Sequence, residues 1–378
     1  VSALDRQIRR ATQADGRVDV KSLELDALRW YMRDLGKAEY RGLAVYKHIW
    51  KKGVTDFEDV QGISRAVREQ LGQRAVISVL DEAACLKSTD GTTKFLWRLY
   101  DGSHVESVLI PDEDRPNSSA ARYTLCVSTQ VGCAMACTFC LTGDLGLKRN
   151  LKPAEIAAQV HQVQQHMRAE YGGRRLTNVV MMGMGEPLHN FDNVVVALRT
   201  MLSQHALNLS HRKITVSTVG LVPKLEQLAH TLPVNIAVSL NATTEAQRRK
   251  VMPITLKYSM QELMEVCRRL PLPSGKRITF EYVMLGGFND TDADAVRLCD
   301  LMRDVPSKVN LIPYNENPDR DIRRPSAERV KSFRNHLVTR GIQCSVRRTR
   351  GLDVSAACGQ LGKAVERMAE RIRPSAPA

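Results

Sequence analysis

From residue 122 onward the chain repeats one unit, a short apolar run followed by an amphipathic stretch, and this repetition restricts the fold more than any other feature. The runs, rich in Val, Ile, Leu or Met, cover 122–128, 177–183, 213–218, 234–240, 277–284 and 308–314. The amphipathic stretches cover 153–171, 191–205, 221–232, 259–270 and 291–304. Short apolar runs read as strands, and apolar residues recurring at helical spacing read as helices. Strand–helix repetition implies a parallel sheet, because each helix returns the chain to begin the next strand in the same direction. Six units are too few for the eight-stranded closed barrel, so the expectation is an α/β fold with a partial (β/α)6 barrel. In such sheets the chemistry gathers at the carboxyl ends of the strands.

Ahead of that repeat, residues 1–92 read as a small helical accessory domain. Leu23 to Trp30 and Arg41 to Trp50 space their apolar residues at helical intervals, and Gly53 and Gly62 break the pattern. Residues 93–121 read as a β-hairpin and connecting loop. Lys94 to Tyr100 and His104 to Ile110 flank Asp101-Gly102, a strong two-residue turn signal, and Pro111 to Ser119 is polar and turn-rich. Residues 122–378 then hold the barrel and a C-terminal extension.

Eight residues inside the barrel carry the clearest chemistry. Cys133, Cys137 and Cys140 have the spacing C-x3-C-x2-C, directly after the first barrel strand. Three clustered thiolates suit an iron–sulfur cluster, since soft sulfur ligands stabilise iron in that form. No fourth cysteine lies nearby, which leaves one iron of a cubane open to an external ligand. Two other uses of such a triplet are a structural zinc site and an electron-transfer cluster. The first wants a fourth Cys or His at zinc-finger spacing, and the second normally takes all four ligands from protein.

Composition narrows the setting. Nine cysteines, an odd number, without an apolar leader in VSALDRQIRRATQAD, argue against a disulfide framework and for a reducing, cytoplasmic location. No run approaches the roughly 18 apolar residues of a membrane helix. The formal charge of +14 points to a polyanionic partner, RNA or DNA first. That charge sits in short clusters, Arg248-Arg249-Lys250, Arg323-Arg324 and Arg347 to Arg350, which suit either a basic surface around a cleft or ordinary solvated faces.

Phe139, just before Cys140, completes a sequence that resembles the radical S-adenosylmethionine (SAM) signature, C-x3-C-x-Φ-C. The resemblance implies a [4Fe–4S] cluster on Cys133, Cys137 and Cys140 whose open iron binds SAM, in a radical SAM barrel. Met181 to Pro187 is similar to the glycine-rich segment that grips the SAM amino group in such enzymes. Several further segments resemble the RlmN/Cfr family of RNA adenine methyltransferases: Cys126 to Cys133, Leu141-Thr142-Gly143, Arg149-Asn150-Leu151, Ser217-Thr218, Ser239 to Ala242, Asn310 to Asn315, and Arg350-Gly351 through Ala356 to Leu361. The likeness spans roughly residues 95–365.

That resemblance implies a particular chemistry. Adenine C2 is electrophilic and cannot attack the SAM methyl directly, so one SAM methylates a cysteine and a second, cleaved reductively, generates a radical on that methyl. The carbon radical adds to adenine, and a second cysteine releases the product with formation of a disulfide. Two SAM molecules are consumed per turnover. By the matching segments Cys358 is the S-methylcysteine carrier and Cys126 the resolving thiol, although by residue type alone both read as buried structural cysteines. Glu106 corresponds to the family's proton acceptor. Gly185, Glu186, Ser217, Ser239, Leu240, Asn241 and Asn315 correspond to SAM contacts. Leu141 and Asp144 depart from the family pattern, and the loop from Pro111 to Arg122 is longer than usual.

The implied partners are 23S rRNA and tRNA, with an electron donor such as flavodoxin or ferredoxin, no membrane, and a monomeric chain. The RlmN branch methylates C2 of one ribosomal adenosine and of the adenosine 3′ of the anticodon. The Cfr branch methylates C8 of the same ribosomal adenosine, and the cysteines do not separate the two. Other classes are an RNA-binding iron–sulfur protein without methyl transfer and a radical SAM activase acting on a protein. The first leaves Cys126, Cys358 and Gly185-Glu186 unexplained, and for the second the +14 charge would need another cause.

Overall fold

Ten strands form one sheet in the computed structural model, which describes residues 2–112, 121–317 and 320–362. They are β1 (Asp81–Lys87), β2 (Thr93–Arg98), β3 (His104–Asp112), β4 (Arg122–Cys126), β5 (Asn178–Met181), β6 (Ile214–Thr218), β7 (Asn235–Ser239), β8 (Ile278–Met284), β9 (Ser307–Pro313) and β10 (Cys344–Val346). Their order across the sheet follows their order in the chain. β1 to β4 pair antiparallel and β4 to β10 pair parallel, so β4 is the hinge between two architectures. Parallel neighbours need crossovers, and helices Pro153–Glu170, Phe191–Leu202, Val222–Thr231, Met260–Arg269, Asp292–Met302 and Ala327–Thr339 supply them.

The six strands and five helices read from the sequence are all present, most of them shorter by one to three residues and the last strand shifted by one. Their starts follow local chemistry. Ser259 with Glu262, and Thr291 with Asp294, form reciprocal capping pairs that satisfy the first free N–H groups of helices Met260–Arg269 and Asp292–Met302.

Three elements differ from the sequence reading. β1 lies inside the stretch taken as helical, and it extends the expected hairpin to three strands. Helix Ala327–Thr339 and β10 add a seventh parallel strand. Both β1 and β10 are sheet edges with mostly exposed or half-buried residues, so neither shows the apolar run that marks an inner strand. The loop expected over Pro111 to Ser119 lies, from residue 113, outside the described residues, as does the chain beyond residue 362.

Cross-strand pairs fix which face is which. Ser107 on β3 donates to Gln159 of helix Pro153–Glu170, and Phe95 on β2 meets His166 of the same helix, so that face of the antiparallel end is covered by the helix. Lys94 pairs with Val108, and Val108 with Cys126, so these residues and Glu106 share the opposite, inner face. The N-terminal helices pack on the outside of the barrel. Trp50 meets the His161 ring edge-on at 5.5 Å, and Ser22 accepts the N–H of Ala154 at the start of helix Pro153–Glu170. Among the described residues no helix is long and apolar enough to cross a membrane.

One charged cluster is not a surface. Arg249 and Lys250 are exposed, but Arg248 is fully buried and donates to the carbonyls of Val219, Ser239 and Leu240 and to the Thr255 hydroxyl.

Candidate active site

The chain leaving β4 builds one wall of a cavity at the carboxyl end of the parallel strands. Ser128 sets its course: its backbone exchanges two hydrogen bonds with the buried Gln159 amide, and its hydroxyl donates to the Glu106 carbonyl at 2.6 Å. Beyond it, the cysteine loop is tied down at several points. Cys133 N–H donates to Gly146, Thr138 N–H to Val251 and Leu141 N–H to Gly359. Ala136, between the first two cysteines, adopts a left-handed backbone at φ 50°, which folds the loop back so that all three thiols face inward.

Cys133, Cys137 and Cys140 line a cavity that opens to solvent. All three are free thiols. Burial pushes Cys133 up to about 12, Cys137 well above its usual range and Cys140 upward, and neighbouring sulfurs add to the shift at Cys133 and Cys137. Such a set stays neutral without a strong cation and ionises readily on iron, which is the donor chemistry an iron–sulfur cluster requires. Among the described residues no three His, Cys, Asp or Glu groups converge on a point as a single ion needs. Cubane ligands bind different irons, so the three sulfurs need only surround the cluster.

Opposite the thiols, Gly183 and Gly185 bring backbone against the β4 exit. A Cβ on Gly183 would lie 2.7 Å from the Val127 carbonyl, and one on Gly185 would lie 2.5 Å from Gln130 Cβ, with φ at +98°. Only glycine makes this cradle. Glu186 follows, 3% exposed, its N–H held by Gln130 at 2.8 Å. Its carboxylate accepts the N–H of Leu188 at 3.0 Å and of Val219 at 2.9 Å. Burial pushes it up to about 7, with these bonds opposing. A carboxylate holding its charge this weakly gains from a bound ammonium, and Glu186 lines the cavity, so the site fits the amino-acid end of SAM.

The remaining expected SAM residues divide. Ser217, Ser239, Asn241 and Asn315 line the cavity. Asn241 has a left-handed backbone at φ 57° and spends its amide on the Val283 N–H and the Met252 sulfur. Leu240 does not line the cavity; it is fully buried, and its carbonyl accepts from Arg248.

Cys358 lines the cavity from the C-terminal side, far away in sequence. Its segment is bound to the cysteine loop: Leu141 donates to Gly359 at 2.9 Å and Thr142 to Leu361 at 2.7 Å. Here Leu141, a departure from the family pattern, is buried against the loop, and Asp144 pairs with Arg320, which also donates to the Cys140 carbonyl.

Cys126 and Glu106 lie behind the cavity wall. Cys126, 6% exposed at the end of β4, has its thiol pushed up to about 12 by burial, with Cys358 close enough to add to the shift. Glu106 pairs with Lys94 and accepts the Gly362 N–H. No disulfide is present: all nine cysteines are free thiols, so the Cys126–Cys358 bond that the resemblance implies on product release has no counterpart in this structure. A neutral buried thiol does not attack another sulfur.

Sequence reasoning assigned no site role to Arg347, Glu281 or Lys94. Arg347 and Glu281 line the cavity, with Arg347 facing the potentials of Cys358, Glu281 and Cys126. Arg347 opens the basic run Arg347 to Arg350, and the available signal was that such a run suits a basic surface around a cleft.

Comparison with known proteins follows the same lines. The radical SAM superfamily pattern matches residues 127–299, and the ribosomal RNA large subunit methyltransferase N-terminal domain pattern matches residues 18–77. A protein named dual-specificity RNA methyltransferase RlmN 2, from Myxococcus xanthus, is 49% identical over 356 residues, covering 93% of this chain and 92% of that protein. The dual-specificity RNA methyltransferase RlmN of Geobacter sulfurreducens is 48% identical over 92% of both chains. The crystal structure of a radical SAM methyltransferase from Sphaerobacter thermophilus superposes with a TM-score of 0.82 at 40% identity, covering 90% of this chain and 98% of that one.

Proposed function

The chain belongs to the RlmN family of radical SAM RNA methyltransferases, and from that premise we propose that it methylates adenine C2, in 23S rRNA and 3′ of the anticodon in tRNA, through a methyl group carried on Cys358. One observation carries this reading: the segment holding Cys358 is hydrogen-bonded to the loop holding Cys133, Cys137 and Cys140, and all four sulfurs face one cavity.

Cys133, Cys137 and Cys140 would hold the cluster, and Gly185, Glu186, Ser217, Ser239, Asn241 and Asn315 the SAM. When bound, these groups supply a methyl electrophile and, on reduction by a flavodoxin or ferredoxin, a carbon-centred radical. Two SAM molecules serve each turnover, one for each role. Cys358 takes the methyl on its sulfur, for which it must first lose its proton. Glu106 accepts the C2 proton once the methyl carbon has joined the base. Cys126 then gives up its proton and attacks the Cys358 sulfur, forming the S–S bond as the bond from that sulfur to the RNA-linked carbon breaks; that carbon keeps the electron pair and takes a proton to become the methyl group, while the adduct's unpaired electron goes to the electron carrier. Burial keeps Cys126 protonated until then, which guards against premature closure.

The test is an anaerobic assay with reconstituted protein, SAM, reductant and RNA spanning the target adenosine, read by nucleoside mass spectrometry. The expected product is 2-methyladenosine, absent with Cys358→Ala although that variant keeps its cluster. Appearance of 8-methyladenosine overturns the C2 assignment, and SAM cleavage without RNA methylation overturns the substrate.

A further inference from the structure

Lys94 and Glu106 form an ion pair sealed inside the protein, Nζ to Oε1 3.4 Å, with side chains 2% and 1% exposed. A buried pair of this kind seldom stabilises a fold more than apolar residues would, so its presence calls for another explanation. Both groups also reach the C-terminal segment. Lys94 Nζ donates to the Ser355 carbonyl at 3.3 Å, and the Gly362 N–H donates to Glu106 Oε2 at 3.3 Å. Cys358 lies between those two anchors. On the sheet, Lys94 and Glu106 share the inner face with Cys126. The pair therefore stands where the resolving strand and the methyl-carrying segment meet.

Glu106 is not on the cavity wall, because Gly362 covers it. Were the segment from Ser355 to Gly362 to lift, the Gly362 N–H would leave Glu106. Lys94 is then the cation left beside the carboxylate.

We propose that Lys94 is a positioning residue for the methyl transfer: it seats the Cys358 segment and keeps Glu106 a carboxylate, ready to accept the substrate proton when that segment opens. The inference rests on the reading of Glu106 as proton acceptor given above. Burial alone drives Glu106 toward its neutral form, and the Lys94 charge is the largest opposing influence. A carboxylic acid already protonated cannot take the C2 proton. In the step itself the C–H bond breaks, its electron pair stays with the base, and the proton joins a Glu106 oxygen while Lys94 remains charged. The unpaired electron that radical addition leaves on the adduct departs separately, to the electron carrier the proposed reaction already uses.

The experiment uses reconstituted holoenzyme in single turnover with SAM, reductant and target RNA, comparing wild type, Lys94→Met and Lys94→Arg. Intact-protein mass reads Cys358 methylation, and denaturing gels read the covalent protein–RNA adduct. The expected result is that Lys94→Met still loads Cys358, more slowly than wild type, and that adduct release is slowed further, about a hundredfold. Lys94→Arg, which keeps the charge, should recover most of the release rate. Wild-type release in Lys94→Met overturns the proposal, as does Lys94→Arg behaving no better than Lys94→Met.

Failure of Lys94→Met to load Cys358, or to fold, is resolved with Lys94→Met/Glu106→Gln, which leaves no unpaired buried charge. If Lys94 acts through Glu106, this double variant accumulates no more adduct than Glu106→Gln alone. Additive slowing makes Lys94 a structural residue only. A wild-type enzyme that never links to RNA removes the premise instead, and is recognised because it fails before any variant is compared.

Discussion

Asn315 donates its side-chain N–H to the backbone carbonyl of Cys358 at 3.1 Å, joining the end of β9 to the proposed methyl carrier. The other end of the amide accepts the Thr349 hydroxyl at 3.0 Å, so the group has one workable orientation. Asn315→Asp would place an acceptor against the Cys358 carbonyl, whereas Asn315→Ala merely removes a bond. Losing one such bond is worth about 1 kcal/mol, and a repulsive pair costs more. Methylation of Cys358 in single turnover is therefore expected to slow about fivefold in Asn315→Ala and further in Asn315→Asp. SAM affinity measured on both variants separates loss of cofactor from loss of positioning. Equal rates in wild type and Asn315→Asp would sink this account.

Glu186 gives the site a pH dependence. Burial pushes its carboxyl up to about 7, and SAM presents an ammonium that needs the ionised form. Below pH 7 the group must release a proton before it can pair, so affinity is fully present above pH 7 and falls as pH drops. The expected slope is about tenfold in Kd per pH unit below 7, flattening above it. Anaerobic equilibrium titration from about pH 5.5 to about pH 8.5 checks this, with Glu186→Gln as a variant whose profile should be flat. A flat wild-type profile would remove Glu186 from SAM recognition.

The parts legible in the sequence are those whose signal is local. Inner strands such as β6 and β8 are buried runs, and the cysteine triplet declares its chemistry by spacing. Lys94 and Arg248 were not legible, because a basic residue in a strand or a charge run reads as exposed unless its burial is known. Leu240 and Glu106 were found by resemblance, which carries position along the chain without telling which way a side chain faces. The structure turns both away from the cavity wall. Edge strands β1 and β10 escaped because exposure removes the apolar pattern on which strand reading depends.

Arg248 is the fastener for two strand ends. Its guanidinium holds the carbonyls of Ser239 and Leu240 at 3.2 Å each, Thr255 at 2.9 Å, and Val219 beyond β6. Burial lowers its pKa to about 10, still charged at neutral pH. Arg248→Met keeps the volume and strands these acceptors, with an expected loss of about 3–5 kcal/mol in urea unfolding. Arg248→Lys should recover only part, because one ammonium cannot span the same fork. A loss below about 1 kcal/mol in Arg248→Met would show that the carbonyls find other partners.

His161 ties acid stability to the contact between the N-terminal helices and the barrel. It is 6% exposed, its Nδ1 has no partner among the described residues, and its ring meets Trp50 edge-on. Burial pushes its pKa down to about 3, and the nearby cations Lys21 and Arg168 push the same way. The unfolded chain takes up a proton near pH 6.5, whereas the folded protein refuses it until about 3. The unfolded state therefore binds more protons throughout that window, so stability is fully present above pH 6.5 and is lost as pH falls toward 3. At pH 5 the loss is about 2 kcal/mol, set by the pH distance below the unfolded value. His161→Phe keeps the ring against Trp50 and has nothing to protonate, so its stability should fall less steeply over the same range. Urea denaturation of both proteins at several pH values measures the difference. Parallel curves for wild type and His161→Phe would mean that other groups govern the acid limb and that the Trp50–His161 contact tolerates a charged ring.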